Sequence, residues 1–191
     1  FMDFLLKIVA EWNSIKEKVF EMFTEYLPEW SEVNAKVYLV LGGDDAYGVN
    51  LLDTNAVLLN IGKLRSQEVL VEALAHELHH KALWKFREVY QRLLRRGFTN
   101  LRGVYSITSE ILSEGIASII SRSFGPFQKY LRIRQEIDKY YRRVKEAIIA
   151  VYNGVKTEEE ALNELYPNMG PIYMVGIDMS LKIEEKLSRE G

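Results

Sequence analysis

The stretch AHELHH at residues 75–80 restricts this chain more than any other feature of its sequence. It holds all three histidines of the chain together with one glutamate. The segment around it, residues 66–96, opens with a serine and ends before a glycine, which predicts a long helix. Its early part, VLVEALAHELHH, is apolar on most sides except for the histidines, so we expect this part to lie deep in the fold. Because a buried imidazole without a partner loses a few kcal/mol of hydration, the cluster predicts a shared ligand for these side chains.

His76, Glu77 and His80 form the pattern H-E-x-x-H. Four residues on a helix turn by about 40° more than one full turn, so His76 and His80 project from one face and both can reach one zinc ion at about 2.0–2.1 Å. Glu77 points about 100° away from His76, which is too far round for a third ligand of the same geometry. It can still take a proton from a water on the metal and pass it to a leaving amine. The pattern therefore predicts a zinc site with Glu77 as the catalytic base.

His79 competes with these residues as a ligand. It lies about 60° from His76 on the other side of the helix, and the pair His76/His79 would leave Glu77 badly aimed. We therefore expect His79 to support the ligands from behind or to support the helix, with ligation as the alternative.

A third ligand has to come from elsewhere in the chain, and with no cysteine and no further histidine it is a carboxylate or, less often, a tyrosine. Glu110 and Glu114 lie four residues apart in SEILSEGIAS, on a helix face that is otherwise apolar. Two buried acids are costly unless a cation neutralises them, and Gly115 allows a close approach of another backbone. We expect Glu114 to be the ligand and Glu110 to be a supporting acceptor or the alternative ligand.

The hydrophobic patterning predicts a mainly α fold of the α+β class in a single domain, residues 1–191. An amphipathic helix occupies residues 1–30, and a small β element of two or more strands occupies residues 36–62, just before the histidine helix. The strands are KVYLVLGG and AVLLNIG, joined by a turn-rich connection. Residues 66–191 form the helical part with the metal site. After the histidine helix we expect a linker and then helices over 108–122, 126–152, 157–166 and 172–187.

Composition and charge exclude several classes of function. The chain has 25 basic and 27 acidic residues, a net charge of −2, so we expect neither nucleic acid nor an anionic membrane as a partner. The basic segments 85–96 and 129–145 contain acidic residues and are typical of solvated helix faces. The absence of cysteine excludes disulfides and cysteine nucleophiles. No transmembrane stretch and no signal peptide are apparent, so we expect a cytoplasmic protein, with its oligomeric state open.

The sequence HELHH followed by SEGIAS resembles the gluzincin-type zinc metallopeptidases, in which a glutamate on a second helix completes the site. The segment GPIYMVGIDM at 170–179 is similar to a segment of small, poorly characterised families of zinc-dependent peptidases. The resemblance covers about residues 36–185. It implies a zincin-like helical domain with one Zn²⁺ per chain and a peptide or protein substrate. In such an enzyme, zinc-bound water activated by Glu77 attacks a peptide carbonyl.

The same resemblance implies further roles near the cleft. Tyr173 would stabilise the oxyanion formed in the attack, and the strand at 56–62 would be a sheet edge that pairs with an extended peptide. Asn60 would then contact substrate. Ser118 departs from the pattern, because some gluzincins place there an aspartate that orients a histidine, and Glu110 or Glu72 would have to replace it.

Two other functions stay open at this point. One is a metal-bearing but non-proteolytic binding or regulatory domain. The other is a nucleic-acid-binding helical protein in which the histidine cluster is incidental.

Overall fold

The computed structural model of the chain describes residues 2–27, 31–42, 48–51, 55–94, 99–123 and 125–190. Within these ranges the fold has eight α-helices, one 3-10 turn and three short β-strands. The mainly α fold of the α+β class is therefore confirmed. The helices are α1 (Met2–Ala10), α2 (Trp12–Thr24), α3 (Gln67–Leu94), α4 (Thr99–Ile120), α5 (Gly125–Ile133), α6 (Ile137–Tyr152), α7 (Glu158–Leu165) and α8 (Pro171–Glu190). The strands are β1 (Lys36–Val40), β2 (Gly48–Leu51) and β3 (Ala56–Asn60).

Contacts between Cα atoms divide the chain into two compact units, Phe1–Ala82 and Leu83–Gly191. The division falls inside the continuous helix α3, so the single domain stays a prediction. None of the described helices is long and apolar enough to cross a membrane.

The first unit contains a three-stranded sheet with the order β1-β3-β2. β1 pairs with β3 in parallel, and β2 pairs with β3 antiparallel. The prediction that the strand at 56–62 forms a sheet edge is wrong, because β3 is hydrogen-bonded on both sides. Its apolar run AVLLN is typical of a central strand that is buried on both faces, and four of its five residues are buried. β2 lies inside the segment that we predicted to be a turn-rich connection.

The N-terminal amphipathic helix predicted over residues 1–30 is formed as two helices. α1 ends at Ala10, and α2 begins at Trp12 after Glu11, whose φ of −100° and ψ of 11° depart from helical values. Backbone hydrogen bonds from Glu11 to Lys7 and from Ile15 to Glu11 continue the helical pattern through this residue. The chain is therefore locally distorted at Glu11 while its helical hydrogen bonds persist.

The second unit is built on the pairing of α4 with α8, and α6 packs against both. Its core is a cluster of buried aliphatic residues from α4, α6, α7 and α8. The members are Ile107, Ile111, Val144, Ala147, Val151, Ala161, Leu165, Ile172 and Val175. These helices hold Glu110, Glu114 and Tyr173, so the core of this unit fixes the second half of the predicted site.

Two predicted boundaries in the second unit are wrong. α4 begins at Thr99, whereas the segment GFTNLRGVYS, residues 97–106, was predicted to be the linker before a helix at 108–122. Gly103 lies within α4 at a point where α6 comes close. A Cβ at this position would lie 2.5 Å from Cγ1 of Val151, so the packing favours a residue without a side chain. The helix predicted over 126–152 is divided by the 3-10 turn Arg134–Glu136 into α5 and α6.

Candidate metal centre

The first half of α3 places the histidines in a buried part of the helix. Ser66 caps the start of α3, because its Oγ accepts a hydrogen bond from the Val69 amide over 3.3 Å. Apolar residues then bury the helix, with Leu70, Leu74 and Ala75 between 0 and 2% exposed. The predicted capped and deeply placed helix is confirmed, and its rigid backbone fixes the spacing of the motif.

The two predicted histidine ligands face each other across one helical turn. The Nε2 atoms of His76 and His80 are 3.2 Å apart, and their ring centroids are 4.9 Å apart with planes inclined at 75°. Two nitrogen ligands at about 2.0–2.1 Å from a tetrahedral zinc ion are separated by about 3.3 Å. The imidazoles therefore already have the separation that one zinc ion requires.

Glu114 supplies a carboxylate to the same group. His76, His80 and Glu114 each offer one ligand atom, and these atoms all lie within 4.8 Å of one another. The three side chains are partly buried. Two imidazoles and one carboxylate form an established donor set for zinc with an open fourth position, so His76, His80 and Glu114 could hold a metal ion.

Glu77 is the remaining member of the motif and is also partly buried. It follows His76 directly, so its carboxylate leaves α3 about 100° further round the helix. Its role as the base beside the metal ligands stays a prediction.

A close crossing of α4 and α8 positions Glu114. A Cβ added to Gly115 would lie 2.3 Å from the carbonyl carbon and oxygen of Gly176, and a Cβ added to Gly176 would lie 2.1 Å from the Ile111 carbonyl oxygen. Both distances are far below a normal contact, so the two helices meet backbone to backbone. The expectation that Gly115 allows such an approach is confirmed, and Gly176, the last residue of GPIYMVG, is its partner.

Glu110 lies one turn before Glu114 and accepts a short hydrogen bond from a tyrosine. The Tyr166 hydroxyl donates to Oε2 of Glu110 over 2.5 Å, and the Tyr166 ring lies edge-on to the Tyr173 ring at 5.8 Å between centroids. Burial raises the pKa of Tyr166 well above its ordinary value of 10.0, and the charges of Glu114 and Glu110 raise it further. Tyr166 is therefore a neutral donor throughout the physiological pH range. Nothing in the local sequence distinguishes it among the eleven tyrosines of the chain.

His79 differs from the other two histidines in its surroundings. It is 0% exposed, and among the described residues neither of its ring nitrogens has a hydrogen-bond partner. Burial lowers the pKa of His79 to about 3, with smaller contributions from His80 and His76. The imidazole is therefore neutral, and its supporting role stays a prediction.

Asn60 ends β3 and shapes the following turn. It is 8% exposed, and its Oδ1 accepts a hydrogen bond from the Gly62 amide over 3.1 Å. This contact accounts for an amide at the end of the strand, and the contact of Asn60 with substrate stays a prediction.

Comparison with known proteins identifies a family for the chain. No curated protein and no solved structure matches the chain. One family does match, over residues 1–190, and it is described as "Putative zinc dependent peptidase (DUF5700)". Since the match spans almost the whole sequence, the chain belongs to this family.

Proposed function

We propose that the protein is a zinc-dependent peptidase in which His76, His80 and Glu114 hold one zinc ion per chain. The observation that carries this proposal is the 3.2 Å separation of the two Nε2 atoms on a buried helix. Without a metal, one Nε2–H can donate to the other Nε2 over this distance, whereas a cation between the two rings would be bound by the lone pairs of both nitrogens. The family description as zinc dependent supports the same choice of metal.

When bound, zinc supplies Lewis-acid activation of a water molecule and of the substrate carbonyl. Glu77 acts as the general base, because its carboxylate accepts the proton that the attacking water loses. The same carboxyl group then returns the proton to the leaving amine, so it is unchanged after one turnover. Tyr173 stabilises the negative charge that develops on the carbonyl oxygen. The substrate is a peptide or a protein.

The test combines metal analysis with a hydrolysis assay on a mixture of fluorogenic peptides. The parent protein should bind one zinc ion and cleave some of the peptides. Glu77→Gln should keep the zinc and lose hydrolysis by about 10²–10⁴-fold, the usual contribution of a general base. His80→Ala should lose both zinc and hydrolysis.

Glu68→Gln is the matched control, because Glu68 lies on the same helix and its carboxylate is at the helix start near Ser66. This variant should behave as the parent protein does. Full hydrolysis by Glu77→Gln would refute its role as the base, and absence of zinc from the reconstituted parent protein would refute the proposed function as a whole.

A further inference from the structure

Tyr166 contacts two of the residues that the sequence predicts to belong to the site, Glu110 and Tyr173. Its hydroxyl donates to Glu110 over 2.5 Å, and its ring packs edge-on against Tyr173 at 5.8 Å. Tyr166 follows α7, Glu110 lies on α4, and Tyr173 lies on α8. One side chain therefore links the end of α7 with α4 and α8.

The hydroxyl hydrogen of Tyr166 is already donated to the side chain of Glu110. A tyrosine has one O–H donor, and an O–H···O bond of 2.5 Å lies at the short end of the normal range. The hydroxyl is therefore not available to donate to a substrate oxyanion. Its effect on the reaction is exerted through Glu110, which accepts the bond, and through Tyr173, which touches the ring.

The backbone after Tyr166 is held in an unusual conformation. Asn168 and Met169 have positive φ angles of 57° and 51°, which for residues other than glycine cost of order 1–3 kcal/mol each. Lys129 donates from its Nζ to both of their carbonyl oxygens, over 2.5 and 3.2 Å. This turn fixes the end of α7 relative to the start of α8.

Gly170 completes the turn. Its amide bonds to the Tyr166 carbonyl over 3.1 Å, and a Cβ at this position would lie 2.4 Å from the Leu165 carbonyl oxygen. Only glycine fits there without moving the backbone. The backbone between Tyr166 and Tyr173 is therefore restricted in conformation by this turn, in addition to the contact between the two rings.

We propose that Tyr166 is a positioning residue of the peptidase site, which holds Glu110 as a fixed acceptor beside Glu114 and orients Tyr173 through their ring contact. The proposal rests on the proposed function, because it assigns Tyr166 a role at that metal site. Glu110 and Glu114 lie on one face of α4, one helical turn apart, and the bond from Tyr166 restricts the rotamers of the Glu110 side chain. Tyr166 thereby keeps the two acids in separate roles, one as the ligand and one as the supporting acceptor.

The test is Tyr166→Phe, which removes the hydroxyl and keeps the ring against Tyr173. Hydrogen bonds behind metal ligands contribute about 10–100-fold to metal affinity or activity. We therefore expect a kcat about 10–100-fold lower with KM within about twofold of the parent, and zinc affinity about tenfold weaker in competition with a chelator. The visible absorption spectrum of the cobalt-substituted protein should also change, because it reports the geometry of the ligands.

Tyr130→Phe is the matched control. The Tyr130 hydroxyl also donates to a carboxylate, Oδ1 of Asp178 over 2.9 Å, so the same atom is lost from a comparable bond. This variant should lose thermal stability while its kcat, zinc affinity and cobalt spectrum match those of the parent. If Tyr166→Phe shows the same pattern as Tyr130→Phe, the positioning role is refuted while the proposed function stands.

A second variant covers the case in which Tyr166→Phe does not fold. Glu110→Gln keeps the shape of the acceptor and removes its charge, so it should reproduce the loss of kcat and the altered cobalt spectrum. Where both single variants fold, the double variant should be no worse than the more affected single one, because the two residues act as a unit. Independent, additive losses would overturn the proposal.

The two proposals fail in distinguishable ways. A parent protein that binds zinc but cleaves no peptide refutes the peptidase activity, while the zinc affinity and the cobalt spectrum still test Tyr166. A parent protein that binds no zinc refutes both proposals.

Discussion

At the crossing of α4 and α8, steric contact should make a glycine-to-alanine change destabilising where backbone preference alone would make it stabilising. Within a helix, replacing glycine by alanine is favourable by about 1 kcal/mol, so Gly176→Ala in α8 should stabilise the protein on that ground alone. Gly125 has a φ of +62° and nothing within 4 Å of an added Cβ. Gly125→Ala should therefore cost roughly 1–2 kcal/mol for its left-handed backbone alone.

The contacts around these glycines predict the opposite result, with Gly176→Ala less stable than Gly125→Ala. The new methyl group at position 176 would lie 2.1 Å from the Ile111 carbonyl oxygen and 2.9 Å from Gly115 Cα. Relief requires the two helices to move apart by about 1 Å, and overpacking of this kind costs about 1–3 kcal/mol or more. Backbone atoms cannot rotate away as a side chain can, and the α4–α8 pairing is the main contact of this unit. Because both clashing groups are backbone, we expect an overpacking cost of about 4 kcal/mol, above the usual range. After the gain of about 1 kcal/mol in helix propensity, Gly176→Ala should show a net loss of about 3 kcal/mol.

Thermal unfolding followed by circular dichroism measures the difference. For a chain of this size about 1 kcal/mol corresponds to about 2–4 °C, so Gly176→Ala should lower the Tm by about 6–12 °C. Gly115→Ala should be similar. The double variant should cost less than the sum of the two, since the separation forced by one methyl group makes room for the other. A Tm for Gly176→Ala above that of Gly125→Ala would refute the close backbone contact.

Three further predictions concern the buried carboxylate, a helix cap and the metal. Burial acts to raise the pKa of Asp178, but hydrogen bonds from Lys182, Tyr130 and Tyr141 outweigh it and hold that pKa below its ordinary value of 3.8. Asp178→Asn should therefore cost about 2–3 kcal/mol in urea unfolding near neutral pH, and the difference from the parent should shrink as the pH falls through the lowered pKa. Thr157→Ala removes the capping box formed with Glu160 at the start of α7 and should lower stability by about 1 kcal/mol, whereas an unchanged Tm would contradict the cap. Removal of zinc by a chelator should lower the unfolding free energy by about 2.7 kcal/mol if the ion was present at a hundred times its Kd, and a Tm that does not respond to the chelator would contradict a folded-state zinc site.

Features set by neighbouring residues along the chain could be predicted from the sequence. The histidine helix depends on apolar periodicity and on the Ser66 cap, and the facing of His76 and His80 follows from helix geometry alone. The capping box of Thr157 and Glu160 is equally local, because it depends only on the T-x-x-E spacing at the start of α7.

Features that depend on distant parts of the chain could not be predicted in the same way. The central position of β3 requires β2, which lies in a segment rich in turn residues and has no strong strand pattern. Gly103 lies inside α4, where it packs against Val151, and local propensity does not include such a contact. Tyr166 acquires its role from Glu110, which lies 56 residues away in sequence. Long-range contacts therefore decided each of these features.

The buried histidine of the motif leads to a last prediction. His79 is fully buried, and the described residues offer no hydrogen bond to either ring nitrogen. An unsatisfied buried polar group costs about 1–3 kcal/mol, so a leucine of similar size should be more stable at this position. His79→Leu should raise the Tm of the metal-free protein by a few degrees, while His79→Gln, which keeps polar atoms in the same place, should not. A lower Tm for His79→Leu would show that the imidazole makes a stabilising bond beyond the residues described. A higher Tm together with weaker zinc binding would show that the histidine supports the site at the expense of stability, a common trade-off at functional positions.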